Sequence, residues 1–305
     1  MTDDPALVLR RAALADGYSD DELAARVRRQ QWVRLRRGAY YDGTLPDDAV
    51  ARHRLLVTAT LAALRRPAVV SHQSAAVLHG FPLWRTRLDR VHVTRRPPAW
   101  HDTSRILSAH VAQLPDDHLV EVDGVVATSP VRTALDLART LPFEAAVVVL
   151  DAALHEEVLS AEDLRADLPV LAGTPGSRSA VRAVRFSDGR SESVGESRSR
   201  VLLHRLGLPP SDIQFRITTP TGLFLARTDF VWEGQRLVGE FDGRVKYGRL
   251  LRPGQVPGDA VFEEKRREDA IRDEDYQVVR WTWDELLRPV RLGAWVERAL
   301  RPRPR

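Results

Sequence analysis

The stretch LVGEFDGRVKYG, Leu237–Gly248, places two carboxylates one residue apart in an apolar run. Side chains alternate between the two faces of a strand, so Glu240 and Asp242 are expected to share one face, while Leu237 and Phe241 share the other. Two like charges on a half-buried face repel each other and lose hydration. The sequence therefore predicts a cation beside this pair.

A third carboxylate is predicted to join the pair. Asp229 precedes Glu240 by eleven positions across a tight turn, and neighbouring strands of a hairpin bring such positions face to face. Three converging carboxylates favour a divalent cation such as Mg²⁺. Lys246, one of two lysines in the chain, is expected to neutralise charge on a phosphate. The alternative is that the acids form salt bridges with nearby arginines, namely Arg227, Arg236 and Arg244.

Composition excludes several classes of protein. The chain has 305 residues, 43% hydrophobic and 29% charged, with a net charge of +4 and no cysteine. Disulfides, zinc–cysteine sites and thiol catalysis are therefore excluded. No apolar run approaches the roughly 20 residues of a membrane span, and no secretory signal is recognisable. We expect a cytoplasmic protein without a membrane partner, whose nucleic-acid contacts come from local basic clusters.

The first 45 residues predict two helices followed by a basic hairpin. One helix is expected over Pro5–Ala15, and another begins after Ser19, which has Glu22 at capping-box spacing. Arginines then alternate with apolar residues around Gly38, as in a hairpin. This order is typical of a winged helix-turn-helix, whose basic residues contact DNA phosphates. The candidates are Arg28, Arg29, Arg34, Arg36 and Arg37, and the alternative is a solvated basic face.

Residues 46–190 predict a mixed α/β middle region. Ser129 followed by Pro130 marks the start of one of its helices. The Ser- and Arg-rich stretch SRSAVRAVRFSDGRSESVGES is expected to be a linker into the next domain. The region also contains histidines without metal-ligand spacing, which are predicted to be structural or surface residues: His72, His79, His92, His101 and His110.

Residues 191–305 predict the order helix, three strands, helix, strand. Their segments GESRSRVLLHRLGL, TDFVW, GEFDGRVKYG, EEKRREDAIRDE and QVVRWTWDEL resemble the PD-(D/E)XK nuclease fold in its Vsr-like (very short patch repair endonuclease-like) branch. The resemblance implies Asp229 as the principal magnesium ligand and Glu240 as the second acid. The third motif position is usually lysine and is Asp242 here, so Lys246 is expected to supply the missing cation.

The same resemblance implies a glutamate on the first helix near the metal, a position that Glu196 occupies. Ser193 and Glu196 equally satisfy capping-box spacing, so a purely structural role for Glu196 is the alternative.

The rest of the chain resembles AbiEi-type antitoxins. The matching segments are LRRAALADGYSDDELAARVRRQQWVRLRRGAYY, VVSHQSAAVLHGFPL and TSPVRTALDLARTLP. This resemblance implies DNA binding, autoregulation of a promoter and a cognate toxin or other protein partner.

The expected fold class is α+β with three domains. These are an N-terminal winged helix-turn-helix (1–45), a mixed α/β antitoxin-like middle domain with its linker (46–190) and a C-terminal PD-(D/E)XK nuclease-like αβββαβ domain (191–305). The expected function is Mg-dependent hydrolysis of DNA phosphodiesters, in phage defence or DNA repair. The alternative is a non-catalytic DNA-binding antitoxin or repressor with a decayed nuclease fold. Asp242 in place of lysine favours that alternative, whereas the retention of three acids on an apolar strand opposes it.

Overall fold

The computed structural model describes residues 6–64, 66–243 and 266–301. It contains helices and three sheets, in agreement with the predicted α+β class. The chain forms two compact units, one of Met1–Ala153 with Glu157–Phe186 and one of Leu154–Glu156 with Ser187–Arg305. The first unit contains the predicted winged-helix region (1–45) and most of the predicted middle region (46–190), of which residues 154–156 and 187–190 belong to the second unit. No helix in the described ranges has the length and apolarity that a membrane span requires.

The first unit begins with a small antiparallel sheet and two helices, and its elements are β1 (Leu7–Leu9), α1 (Arg10–Ala15), α2 (Asp20–Arg28), β2 (Trp32–Arg36) and β3 (Ala39–Asp42). The strand order is β1-β3-β2. The helix predicted from Pro5 is wrong at its start, because Leu7–Leu9 pair with β3 and the helix begins only at Arg10. The predicted capping box of Ser19 and Glu22 is confirmed.

The rest of the first unit is built on a six-stranded sheet covered by helices. Its elements are α3 (Ala49–Leu61), β4 (Val69–Val70), α4 (His72–His79), β5 (Val91–Arg95), β6 (Asp102–Thr103), β7 (Leu107–Val111), β8 (Leu119–Val122), β9 (Val125–Thr128), α5 (Pro130–Thr140), α6 (Phe143–His155), α7 (Ala161–Asp167) and α8 (Ser177–Phe186). The strand order is β6-β7-β5-β4-β9-β8, with β5–β7 and β4–β9 parallel.

Two sequence signals in this region have opposite outcomes. Ser129 caps α5 as predicted, its hydroxyl accepting from the N–H of Arg132, with Pro130 in the first turn.

The predicted linker is wrong over residues 177–186, which form α8. This helix packs against α5 and buries Ala180 and Ala183. Small apolar residues at i and i+3 lie on one helix face, and burial of that face stabilises the helix despite its polar composition.

The second unit contains α9 (Val194–Arg205), β10 (Asp212–Thr218), β11 (Phe224–Trp232), β12 (Leu237–Phe241), α10 (266–273), β13 (Gln277–Trp281), α11 (Trp283–Leu286) and α12 (Pro289–Leu300). The sheet order is β10-β11-β12-β13, and only β12 and β13 are parallel. The predicted order of helix, three strands, helix and strand is therefore present. All five residues of β12 are buried, which places a core on both faces of the strand.

Helix α9 approaches β12 closely through a glycine. A Cβ atom on Gly195 would overlap the ring of Phe241, so only glycine permits this spacing. One turn further along α9, the Ser199 hydroxyl accepts a hydrogen bond from the indole of Trp281 at 2.7 Å. These contacts hold the first turn of α9, with Glu196, beside the sheet.

Candidate functional site

Exposed arginines follow one another from the end of α2 into the β2–β3 hairpin. Arg28 is the last residue of α2, and Arg29 caps that helix. Arg34 lies on β2 opposite Tyr40, and Arg37 lies in the turn that leads to β3. All four arginine side chains are exposed to solvent. We call Arg28, Arg29, Arg34 and Arg37 the basic edge.

Arg36 was predicted to contact phosphates with these residues, but the structure gives it a different environment. Its Nη1 donates to the carbonyl of Thr60 on α3 at 3.2 Å. The side chain is half-buried, and burial lowers the pKa of Arg36 from its ordinary value. Arg36 therefore fastens the hairpin to α3, and the basic edge does not include it.

The opposite end of α2 carries the opposite charge. Its first turn contains Asp20, Asp21 and Glu22, whereas its last turn is basic. Arg26 packs against aromatic side chains. Its guanidinium lies over the rings of Tyr18 and Trp32, at 5.1 Å from each ring centre. The positive charge of α2 is therefore concentrated at its C-terminal end, next to the hairpin.

Two of the predicted acids occupy neighbouring strands of the second unit. The last residue pair between β11 and β12 is Phe230 with Gly239. The next residue beyond this pair is Asp229 on β11 and Glu240 on β12. Oδ2 of Asp229 accepts a hydrogen bond from the backbone N–H of Phe241 at 2.7 Å. Asp229 thus continues the contact between the strands with its side chain.

Glu240 is 9% exposed and is held by two arginines. Its Oε1 accepts from Nη2 of Arg267 on α10, and its Oε2 accepts from Nε of Arg280 on β13 at 2.7 Å. Arg280 also donates to Glu268 at 2.9 Å, and Glu268 pairs with Arg272. The charge of Glu240 is therefore neutralised by side chains from the helix and strand that follow it in the sequence.

Two of the three arginines that the sequence offered as salt-bridge partners bind elsewhere. Arg227 pairs with Glu192 at 2.8 Å. Arg236 donates to the carbonyl of Glu274 at 2.6 Å and stacks on the ring of Tyr276. The remaining candidate, Arg244, lies outside the described residues. Glu240 therefore forms salt bridges, as the alternative predicted, but its partners are Arg267 and Arg280.

Glu196 accepts hydrogen bonds on both carboxylate oxygens. Ser193 donates to Oε1 at 2.7 Å, while the N–H of Glu192 and the amide of Gln214 donate to Oε2 at 2.9 and 2.8 Å. The N–H of Glu196 donates to the Ser193 hydroxyl in return. These contacts account for the burial of Glu196 in the first turn of α9, where Ser193 is the N-cap.

Asp242 and Lys246 complete the predicted site. Asp242 follows the end of β12, and its backbone N–H donates to the carbonyl of Trp281 at 2.8 Å. Lys246 lies outside the described residues.

The described side chains do not fit a magnesium ion as they are arranged. Within residues 6–64, 66–243 and 266–301, no three histidine or acidic side chains are grouped so that they could hold a metal. Magnesium requires free oxygen ligands in near-octahedral geometry, and the oxygens of Glu240 and Glu196 already accept hydrogen bonds from the protein. The three-carboxylate cluster is not assembled in this part of the chain, and the magnesium site stays a prediction.

Gln214 is a site residue that the sequence did not reveal. On β10, Gln214 lies between Ile213, which pairs with Phe230, and Phe215, which pairs with Thr228. Gln214 is therefore level with Asp229 on β11. Its φ of 52° is unusual for a non-glycine residue and lets its amide reach Glu196. Four polar residues consequently lie at matching positions across the four strands. We call this set the polar row: Gln214, Asp229, Glu240 and Arg280.

Three histidines of the first unit meet although they lie far apart in the sequence. The rings of His72 and His110 stack with centres 3.8 Å apart, and Nδ1 of His92 lies 3.0 Å from Nε2 of His110. His72 is fully buried, and Asp136 beside it is paired with Arg139 at 2.9 Å. Burial, together with the positive charge that neighbouring groups can carry, lowers the pKa of His92 and of His110 to about 4.

The histidine cluster predicts acid sensitivity of the first unit. In the unfolded chain these histidines have a pKa near 6.5, so between pH 6.5 and 4 the unfolded state binds protons that the folded state does not. The free energy of unfolding should therefore fall as the pH decreases through this window. His110→Gln should flatten the dependence by up to about 1.4 kcal/mol per pH unit. Urea unfolding at several pH values measures this, and His101→Gln, at an exposed site, is the control. Equal slopes for His110→Gln and the wild type would contradict it.

The ion pairs of Glu240 predict a structural cost for its removal. Glu240→Gln should lower the free energy of unfolding by about 2 kcal/mol, because Arg267 and Arg280 each lose their ion pair with Glu240, although Arg280 keeps the one with Glu268. The expected loss of stability is smaller than for a fully buried ion pair, because the side chains of Arg267 and Arg280 are 37% and 31% exposed. The exposed Glu233 is the matched control, and Glu233→Gln should change stability by less than about 0.5 kcal/mol. Denaturant unfolding measures both, and equal effects would show that the ion pairs contribute nothing.

Comparisons with known proteins do not assign the chain to a family. No family model matches the chain. It is 34% identical over 124 residues to two uncharacterized proteins of Mycobacterium tuberculosis, MT2308 of strain CDC 1551 and Rv2248 of strain H37Rv. Each match covers 41% of this chain and 45% of the relative, so the chain spans somewhat less than half the length of these relatives. Among solved structures, it is similar to the RV2827C protein of M. tuberculosis, with a TM-score of 0.40 and 17% identity over 73% of this chain and 87% of that one.

Proposed function

We propose that this protein binds duplex DNA through the basic edge, as a DNA-binding regulator. The observation that carries the proposal is the exposure of Arg28, Arg29, Arg34 and Arg37 along the end of α2 and the adjoining hairpin. Arginine forms strong charge-assisted hydrogen bonds with phosphate oxygens. Neighbouring arginines without a carboxylate partner among the described residues therefore favour a polyanionic ligand.

The charge arrangement around α2 suggests how such a contact would be oriented. The acidic first turn repels phosphates, so the helix would approach DNA with its C-terminal end and the hairpin. Arg36 takes no part in binding and instead keeps the hairpin in place through Thr60. The resemblance to AbiEi-type antitoxins adds a cognate toxin as the expected protein partner.

Arg34→Ala combined with Arg37→Ala should weaken DNA binding at all sequences alike. Each lost phosphate contact reduces the slope of log affinity against log salt concentration by about 0.9, so the double variant should lose up to about 1.8. Fluorescence anisotropy with a labelled duplex at several salt concentrations measures the slope. Arg105→Ala, at an exposed arginine outside the basic edge, is the control. A double variant with the slope of the wild type would refute the role of the hairpin.

A second candidate function is hydrolysis of phosphodiesters by the second unit. The specific observation in its favour is the polar row, in which Asp229 and Glu240 lie on adjacent strands with Arg267 and Arg280 beside them. Carboxylates beside arginines provide both the acid–base groups and the phosphate contacts that such a reaction uses. Glu240 would have to exchange an arginine for the substrate, because both of its oxygens are engaged.

If the polar row is catalytic, supercoiled plasmid should be nicked, and Asp229→Asn should abolish nicking without loss of DNA binding. The assay is run with MgCl₂ and with EDTA, and anisotropy is measured on the same preparations. Glu233→Gln, an exposed acid of the same unit, should keep the wild-type rate. Absence of nicking in the wild type, or nicking that survives in Asp229→Asn, would remove this candidate and leave the DNA-binding proposal intact.

A further inference from the structure

Helix α12 buries one side and leaves the opposite side uncovered. Leu292 and Val296 face the core of the second unit, where they belong to the same apolar cluster as strand β12. On the opposite side, Val290 is 84% exposed and Trp295 is 39% exposed, and Leu287, in the turn before α12, is 56% exposed. Surface helices typically carry polar residues on their outer side. Large apolar side chains exposed within one short segment therefore indicate a contact surface.

The uncovered side of α12 contains four exposed residues spaced i, i+3, i+4 and i+7, a set that we call the α12 diamond: Arg291, Ala294, Trp295 and Arg298. Residues at this spacing are neighbours on one face of a helix. Four such residues form the hole that receives one side chain of a facing helix in knobs-into-holes packing. Ala294 has the smallest side chain of the four, so the hole is open between Ala294 and Trp295.

Both ends of the α12 diamond are positively charged. In the described ranges, neither Arg291 nor Arg298 forms an ion pair with a carboxylate. Hydrogen bonds from Thr282 are the main reason that the pKa of Glu285 is lowered, and Arg291 contributes less. The two arginines are seven residues apart, which is about 10.5 Å along the helix axis. A partner helix with two carboxylates at the same spacing would match both guanidinium groups.

The same features disfavour other occupants of this face. A second copy of α12 would bring arginines against arginines, which repel each other. A phosphate backbone would match the arginines but would leave Val290 and Trp295 without an apolar partner. A bilayer would match both the charge and the apolarity, but aromatic anchors project into the headgroup layer, whereas more than half of the surface of Trp295 is covered by the protein.

We propose that α12 docks an acidic amphipathic helix of a partner protein, which places an apolar side chain in the hole of the α12 diamond and one carboxylate on each of its two arginines. Val290, one turn before Ala294, extends the apolar part of the contact. Helix recognition commonly uses apolar anchors at this periodicity. Because a helix of three turns offers a small contact area, the complex is expected to be weak and to depend on salt. This surface lies in the second unit and does not depend on the DNA-binding proposal.

Fluorescence anisotropy of the full chain with a labelled, lactam-bridged helical peptide tests the proposal. The probe has about 15 residues and carries glutamates at i and i+7 with leucines at i+3 and i+4. The wild type should bind it saturably, and Arg291→Glu combined with Arg298→Glu should weaken binding by about tenfold or more. The same double variant should instead bind a peptide in which lysines replace both glutamates.

Two single variants complete the test. Ala294→Gln fills the hole with a polar group and keeps both arginines, so it should also weaken binding of the glutamate peptide. Arg216→Glu, at an exposed arginine of the same unit outside α12, should bind this peptide as the wild type does. Melting curves confirm that every variant is folded.

Several results would overturn the docking of an acidic helix. One is the absence of saturable binding of the glutamate peptide at millimolar concentration, and another is equally tight binding of the glutamate and lysine peptides by the wild type. Co-sedimentation with phosphatidylserine vesicles, without binding of the peptide, would show that this face meets a lipid surface. A dimer in sedimentation velocity that Ala294→Gln dissociates would show that a second copy of the chain covers it.

Discussion

The second unit depends on the neutralisation of one buried charge. Glu240 lies on β12, whose five residues are all buried, and an unpaired carboxylate in that position would be very costly. Arg267 and Arg280 supply the countercharge from α10 and β13, so the ion pairs bind these two elements to the strand. Because breaking such a pair leaves a charge unmatched, the same contacts that stabilise the sheet also occupy the oxygens that a metal ion would need.

The polar row shows how local strain is offset by a buried network. Gln214 adopts a left-handed φ of 52°, which costs on the order of 1–3 kcal/mol for a non-glycine residue. In return its amide donates to Glu196, whose other donors among the described residues are the N–H of Glu192 and the hydroxyl of Ser193. The close approach of Gly195 to Phe241 keeps that cap beside the strands. Acid, amide and guanidinium groups from separate elements are thereby brought to one level of the sheet.

In the first unit, burial separates residues of the same type into different roles. Arg34 and Arg37 are exposed, whereas Arg36 between them is half-buried against the carbonyl of Thr60. The three are equivalent as a sequence pattern, and only the packing of the hairpin on α3 distinguishes them. The histidines behave similarly, since His101 is exposed while His72, the first residue of α4, is buried with its ring against that of His110.

The sequence by itself determined what depends on neighbours within a few residues. The capping box at Ser19, the start of α5 after Ser129 and the order of elements after residue 191 all follow from local hydrogen bonds and side-chain alternation. Tertiary structure decided the rest. Leu7–Leu9 became a strand by pairing with β3, the polar residues 177–186 became a helix by packing on α5, and Glu240 took partners 27 and 40 positions away. These outcomes rest on contacts between segments distant in the chain, and the free energy of such contacts exceeds the local preferences that a sequence pattern records.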